Sequence, residues 1–167
     1  MKRREVLASL ATLTASPLAG GAGGSPSAPT VPPFLRISGP GPARFEFTEA
    51  AFAILALPTA SITTATVWTP RSVFVGPTLL TVMGSAGVTA GTLIFRTLDD
   101  YSAPIPWSDL VRYGVILAHS QDGQRLNNKR WGPLWTMYPR DRYPRALSGP
   151  IAESRFIWQV NRIEVKA

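Results

Sequence analysis

Apolar positions along this chain come in short runs broken by Gly, Pro, Asp and Asn, a spacing that predicts many strands and few, short helices. Residues 34–37 and 44–47 flank Gly39-Pro40-Gly41-Pro42 and read as two extended segments joined by a turn. Residues 48–55 read as a short helix, with Thr48 as N-cap and Pro58 as the stop. Residues 61–68, rich in threonine and β-branched side chains, are expected to form a strand. Gly76-Pro77 is expected to open a second helix with proline at its first position, closed by Gly84 or Gly87. Residues 92–98 alternate as a strand does, and residues 105–111 read as a helix entered through Pro106 and ended before Gly114. Residues 115–118 and 134–138 are apolar segments bounded by turn signals, hence strands. In residues 155–165 the apolar set Phe156, Trp158, Val160 shifts register at Asn161 to Ile163 and Val165, which fits one long terminal strand with a bulge. Strands with three short helices between them make an α+β, mixed-sheet fold. No G-x-G-x-x-G follows a strand, so a dinucleotide-binding reading has no support.

The amino-terminal segment follows a different pattern. A basic head, Lys2-Arg3-Arg4, precedes an apolar run over residues 6–18 and a stretch of small residues over 19–25. This is the layout of an export signal over residues 1–22, cleaved near Ala22, and it predicts a periplasmic or secreted product. The run is shorter than the roughly 20 residues that span a bilayer, so no stable membrane insertion is expected. Arg3-Arg4 also resembles the start of a twin-arginine signal. Residues 23–33, rich in Pro, Ser and Gly, form the expected linker, and residues 34–167 the folded domain. Cysteine is absent, so the exported domain has no disulfide to lean on. With His119 the only histidine, a zinc, copper or iron–sulfur site built from protein ligands is not expected. The full chain carries a net charge of +7; loss of residues 1–22 leaves 14 Lys and Arg against 9 Asp and Glu, still basic. A basic surface suits anionic lipid, nucleic acid or an acidic protein, and export argues against nucleic acid.

Several phrases recur in an order that resembles a known family: Leu57-Pro58, Thr64-x-Thr66-x-Trp68, Phe74-x-Gly76-Pro77-x-Leu79, Asp99-Asp100-Tyr101, Leu117-Ala118 with Asp122-Gly123, and Gly132-Pro133-Leu134-Trp135 leading to Tyr138-Pro139. Together they resemble the molybdopterin-binding domain of sulfite oxidase-type proteins, in a small exported bacterial form. In that family a cysteine thiolate holds the molybdenum, and the resemblance places Thr64 at that position. A threonine hydroxyl stays protonated near neutral pH and is a poor ligand beside a thiolate. The resemblance therefore implies a non-catalytic periplasmic pterin-binding protein, with a tetrahydropterin or oxidised pterin as ligand and no molybdenum cofactor. It further implies a partner, the periplasmic domain of a membrane receptor controlling cyclic-di-GMP. The alternative is an exported molybdopterin-dependent oxidoreductase with a non-cysteine site.

A pterin is a flat bicycle with an amide–amidine edge, so its site needs an aromatic face, an acceptor and a donor. Asp99 and Asp100 are candidate acceptors, against the plain reading of acids that solvate a turn. Tyr101, Trp68 and Trp135 are candidates for stacking, and Trp131 for an exposed rim, while Trp107 and Trp158 read as core. Thr64 and Thr66 would share one face of a strand and reach the ligand with their hydroxyls. Between positions 125 and 145 six cations face one acid, Asp141, and Lys129, Arg130 and Arg140 are candidate contacts for a phosphate or an acidic partner. His119 reads as structural, and no nucleophile–histidine–acid set can be assembled.

Overall fold

The computed structural model describes residues 34–39, 44–47 and 57–167, all within the second of two compact units, Val31–Ala167. The expected export signal, the linker, most of the turn at residues 39–42 and the helix at 48–55 lie outside the described residues. In chain order the elements are β1 (Leu35–Ser38), β2 (Arg44–Phe47), β3 (Thr59–Thr64), β4 (Ser72–Pro77), α1 (Leu79–Ser85), β5 (Thr92–Thr97) and β6 (Ser102–Pro106). They continue with α2 (Trp107–Tyr113), β7 (Ile116–Ala118), β8 (Ser120–Gln121), β9 (Gln124–Arg125), β10 (Trp135–Met137), α3 (Pro150–Glu153) and β11 (Val160–Lys166).

Period-two alternation builds a five-stranded sheet in the order β2-β1-β11-β5-β6, parallel only between β1 and β11. Its inner face carries Leu35, Ile37, Leu93, Phe95, Ile105 and Ile163, all buried, while charged residues such as Arg36 and Arg162 stand on the outer face. A four-stranded sheet, β3-β4-β8-β9, and the pair β10-β7 complete the mixed-sheet α+β architecture. The β7 segment runs close beside β4: Leu79 N–H donates to Val115 O at 2.8 Å and His119 N–H to Val75 O at 2.9 Å. A Cβ on Gly76 would stand 2.1 Å from Leu117 O, so only glycine permits that approach. Phe74, Leu79, Met83, Trp135, Tyr138 and Phe156 fill the core where these layers meet.

Five departures from the sequence pattern have physical causes. The strand expected over residues 61–68 ends at Thr64, because the Thr66 hydroxyl accepts N–H bonds from Trp68 and Thr69, both at 3.1 Å, and folds the chain into a turn. Gly76 and Pro77 end β4 instead of opening a helix; Thr78 is the N-cap of α1, its hydroxyl accepting from Thr81 N–H at 3.2 Å, and Gly87, at φ +70°, closes the turn after it. Ile105 and Pro106 belong to β6, paired with Leu93 and Thr92, so α2 begins at Trp107 and stops at Gly114, at φ +62°. Asp122 and Gly123, at φ +50° and +77°, form a two-residue turn between β8 and β9, a hairpin the pattern reading did not separate. The terminal strand starts only at Val160; residues 154–159 are irregular, though the expected bulge is present between Val160 and Arg162. No helix among the described residues is long and apolar enough to cross a membrane.

Candidate functional site

A cleft of about 260 Å³ opens where three segments converge: the turn after β3, the β5–β6 hairpin, and residues 153–158 between α3 and β11. Its lining is Trp68, Thr97, Asp99, Tyr101, Glu153, Ser154, Phe156, Ile157 and Trp158. The Thr66 turn presents Trp68, whose ring meets Trp158 edge-on with centroids 4.4 Å apart. Trp158 in turn lies 5.6 Å from Trp131, and Trp131 4.9 Å from Trp135, so four of the five tryptophans form one contiguous group behind and beside the cleft. Such edge contacts fix ring orientation and make a rigid aromatic wall.

The β5–β6 hairpin supplies polar groups. Thr97, buried at the end of β5, donates its hydroxyl to Asp99 Oδ1, and Thr97 N–H donates to Tyr101 O at 3.2 Å. The hydroxyl bond, with Tyr101 N–H adding to it, holds the Asp99 carboxyl below the ordinary aspartate range. Asp100 occupies the left-handed turn position at φ +63°, which aspartate tolerates better than most residues. Tyr101 crosses to the other wall, its hydroxyl donating to Ser154 O at 3.2 Å. On that wall Arg140 holds Glu153: Nη2 lies 2.5 Å from Oε1, Nε donates to Leu147 O at 3.0 Å, and the guanidinium sits 4.5 Å above the Phe156 ring. The second carboxylate oxygen, Glu153 Oε2, is buried and has no hydrogen-bond partner.

The sequence-derived candidates separate cleanly. Trp68, Asp99 and Tyr101 come together in the cleft. Thr64 is fully buried, its hydroxyl 3.4 Å from Ala65 O, and Thr66 spends its hydroxyl on the turn; neither lines the cleft. Asp100 contributes backbone geometry, and Trp135 is wholly enclosed, its Nε1 donating to Phe156 O at 3.3 Å. Trp131 is half-buried against Trp135 and is not part of the lining. Lys129 lies on a different hollow, Arg130 stands over the Trp131 ring at 5.9 Å, and Arg140 is an internal clamp rather than a surface contact. His119 is partly buried, with Nδ1 2.6 Å from Ser120 Oγ, and burial lowers its pKa. The lining residues that pattern reading did not single out are Thr97, Glu153, Ser154, Phe156 and Ile157, and Trp158, which reads as core in the sequence, lines the cleft as well. The consecutive apolar triplet Phe156-Ile157-Trp158, which no one-sided strand would carry, was the available signal.

No family model and no curated protein sequence matches the chain. Among solved structures, it superimposes on the sulfane dehydrogenase SoxCD from Paracoccus pantotrophus with a TM-score of 0.57 at 16% identity. The fold is of the sulfite oxidase type. The match covers 78% of this chain and 37% of the SoxCD chain, so the two share a domain-sized core and not a whole protein.

Proposed function

We propose that the cleft binds a free pterin and that the protein is a non-catalytic periplasmic sensor, relaying pterin occupancy to a membrane receptor that controls cyclic-di-GMP. The observation that carries this reading is the unpartnered Glu153 Oε2 in an aromatic-walled cleft. The Arg140 guanidinium gives Glu153 its counter-charge, but Oε2 has no donor of its own among the described residues; leaving such an oxygen unpaired costs about 1–3 kcal/mol, which a ligand presenting an amidine-like N–H edge relieves. Asp99, whose pKa Thr97 lowers further below the ordinary aspartate value, offers a second acceptor toward the same edge. Trp68, Tyr101 and Trp158 supply faces and edges for the ring. Exposed Val67 and Ile151, on the segments that carry Trp68 and Ser154, provide an apolar rim for a receptor to read.

The lining argues against the complete molybdenum cofactor, whose phosphate and dithiolate are anionic. Among the described residues two carboxylates and no cation line the cleft, and no thiol exists in the chain. Calorimetric titration with tetrahydropterin and with oxidised pterin is expected to give one site per chain. Glu153→Gln, which keeps the shape but loses the charge, is expected to weaken it about tenfold, the worth of one charge-assisted hydrogen bond. Absence of heat and of thermal shift with both pterins overturns the reading, as does molybdenum near one atom per chain in protein made in a molybdopterin-competent host.

A further inference from the structure

On a different part of the domain, strand pairing sets three arginines in a row. Arg36 on β1 stands opposite Arg162 on β11, and Arg162 stands opposite Arg96 on β5. Adjacent strands lie about 4.8 Å apart, and like charges directly opposite destabilise a sheet. The outer two members are neutralised: Arg36 Nε donates to Glu46 at 3.1 Å, and Arg96 grips Glu164 through Nε at 2.6 Å and Nη2 at 3.3 Å. The central Arg162 is exposed and its guanidinium makes no hydrogen bond or close ion pair among the described residues; its nearest counter-charge, Glu164 two positions along β11, is already gripped by Arg96.

Arg162 also lines a hollow of about 880 Å³ between the end of this sheet and the segment after β9. Arg36, Arg125 and Lys129 line it too, with Asn127, Asn128 and Asn161, and no acid does among the described residues. The Asn127 Oδ1 accepts from Lys129 N–H at 3.1 Å, which leaves its amide nitrogen as a donor. Apolar Phe34 and Leu126 complete the wall, and the Arg125 guanidinium packs 5.3 Å from the Phe34 ring. Four basic side chains, of which Arg36 is already paired with Glu46, stand in one concave space with several amide donors and an apolar wall, a combination that matches a phosphate group on an organic body.

We propose that this hollow is a second ligand site, for a molecule carrying phosphate, with the exposed Arg162 as its anchor. The proposal stands on the sheet register and the hollow, and does not depend on pterin binding at the aromatic cleft. Sodium pyrophosphate titrated into the full chain, with ionic strength held constant by sodium chloride, is expected to give saturable one-site binding. Arg162→Gln should weaken that binding at least tenfold, while Arg145→Gln, which removes the same charge from an exposed position outside the hollow, should change it less than twofold. Without ligand, Arg162→Gln should melt at or above the wild-type temperature, because it removes like-charge repulsion. Heat that disappears at matched ionic strength, equal loss in the two variants, or a melting temperature several degrees lower in Arg162→Gln would overturn the proposal. Co-sedimentation with phosphatidylglycerol vesicles, competed by pyrophosphate, would assign the phosphate to a lipid headgroup; pyrophosphate binding with no vesicle binding would assign it to a soluble ligand.

Discussion

At the scale of single residues, the hydroxyl of Thr97 sets the acidity of the cleft's aspartate. It donates to Asp99 and, as the largest contribution, keeps that carboxyl below its ordinary pKa of 3.8. A carboxyl whose folded pKa is depressed contributes stability that is present above its unfolded pKa and is lost as pH falls through the folded value. Thr97→Val keeps the shape and removes the donor, so the Asp99 carboxyl carbon, followed by NMR in an acid titration, should titrate at a higher pH in the variant than in wild type. Identical midpoints would mean that the hydroxyl does not set the acidity. The neighbouring Asp100 follows the plainer of the two readings its sequence allowed. Its acid group invited a binding role, whereas its positive φ gives it the work of a turn residue. Thr64 and Thr66 teach the same lesson: alternation put both on one strand face, but a short threonine side chain can bond its own backbone and end the strand.

At the scale of elements, the irregular run after α3 needs an anchor, and Asp109 provides one. Its Oδ2 accepts from Arg155 Nη1 at 2.6 Å and from the Tyr138 hydroxyl at 3.0 Å, tying α2 and β10 to the residues that lead into the cleft wall. Burial, reinforced by the Asp109 charge, pushes the Tyr138 hydroxyl well above the ordinary tyrosine pKa, so it remains a donor at any physiological pH. Asp109→Ala leaves a mostly buried guanidinium without its counter-charge and should cost about 3–5 kcal/mol in denaturant unfolding. A loss below about 1 kcal/mol would place the pair among ordinary surface contacts. The elements that periodicity predicted well, β5, β7 and β10, are those whose burial follows from their own apolar residues. Those it displaced, at 61–68, 76–77 and 155–159, are decided by a side-chain cap, by a partner strand or by a clamp from elsewhere in the chain, none of which a local window contains.

At the scale of the whole molecule, the cleft exists only when distant parts of the chain meet. Trp68, the hairpin acids and Trp158 approach one another because β11 inserts between β1 and β5 and draws residues 153–158 against the hairpin. Asp99 and Tyr101 were legible because a turn that carries acid and aromatic groups advertises itself in sequence. Glu153 was not, because its place depends on the path of a segment with no regular period, and for Trp158 only the apolar triplet it closes gave a signal. A site assembled this way is present in the folded state and absent from the unfolded one, so its ligand must stabilise the fold by mass action. At a free pterin concentration 100 times its dissociation constant the gain is about 2.7 kcal/mol. For a domain of this size that corresponds to a rise of roughly 10 °C in melting temperature. Trp158→Ala removes the ring that meets Trp68 edge-on and that borders both the cleft and the tryptophan group behind it. Its own melting point should fall, since truncating a tryptophan at such a junction costs up to about 3–5 kcal/mol. The deciding quantity is therefore the ligand-induced increment in each protein and not the absolute temperature. The increment should grow with the logarithm of pterin concentration in wild type and be lost over the same range in Trp158→Ala. An equal increment in both proteins would show that pterin binds somewhere other than this cleft.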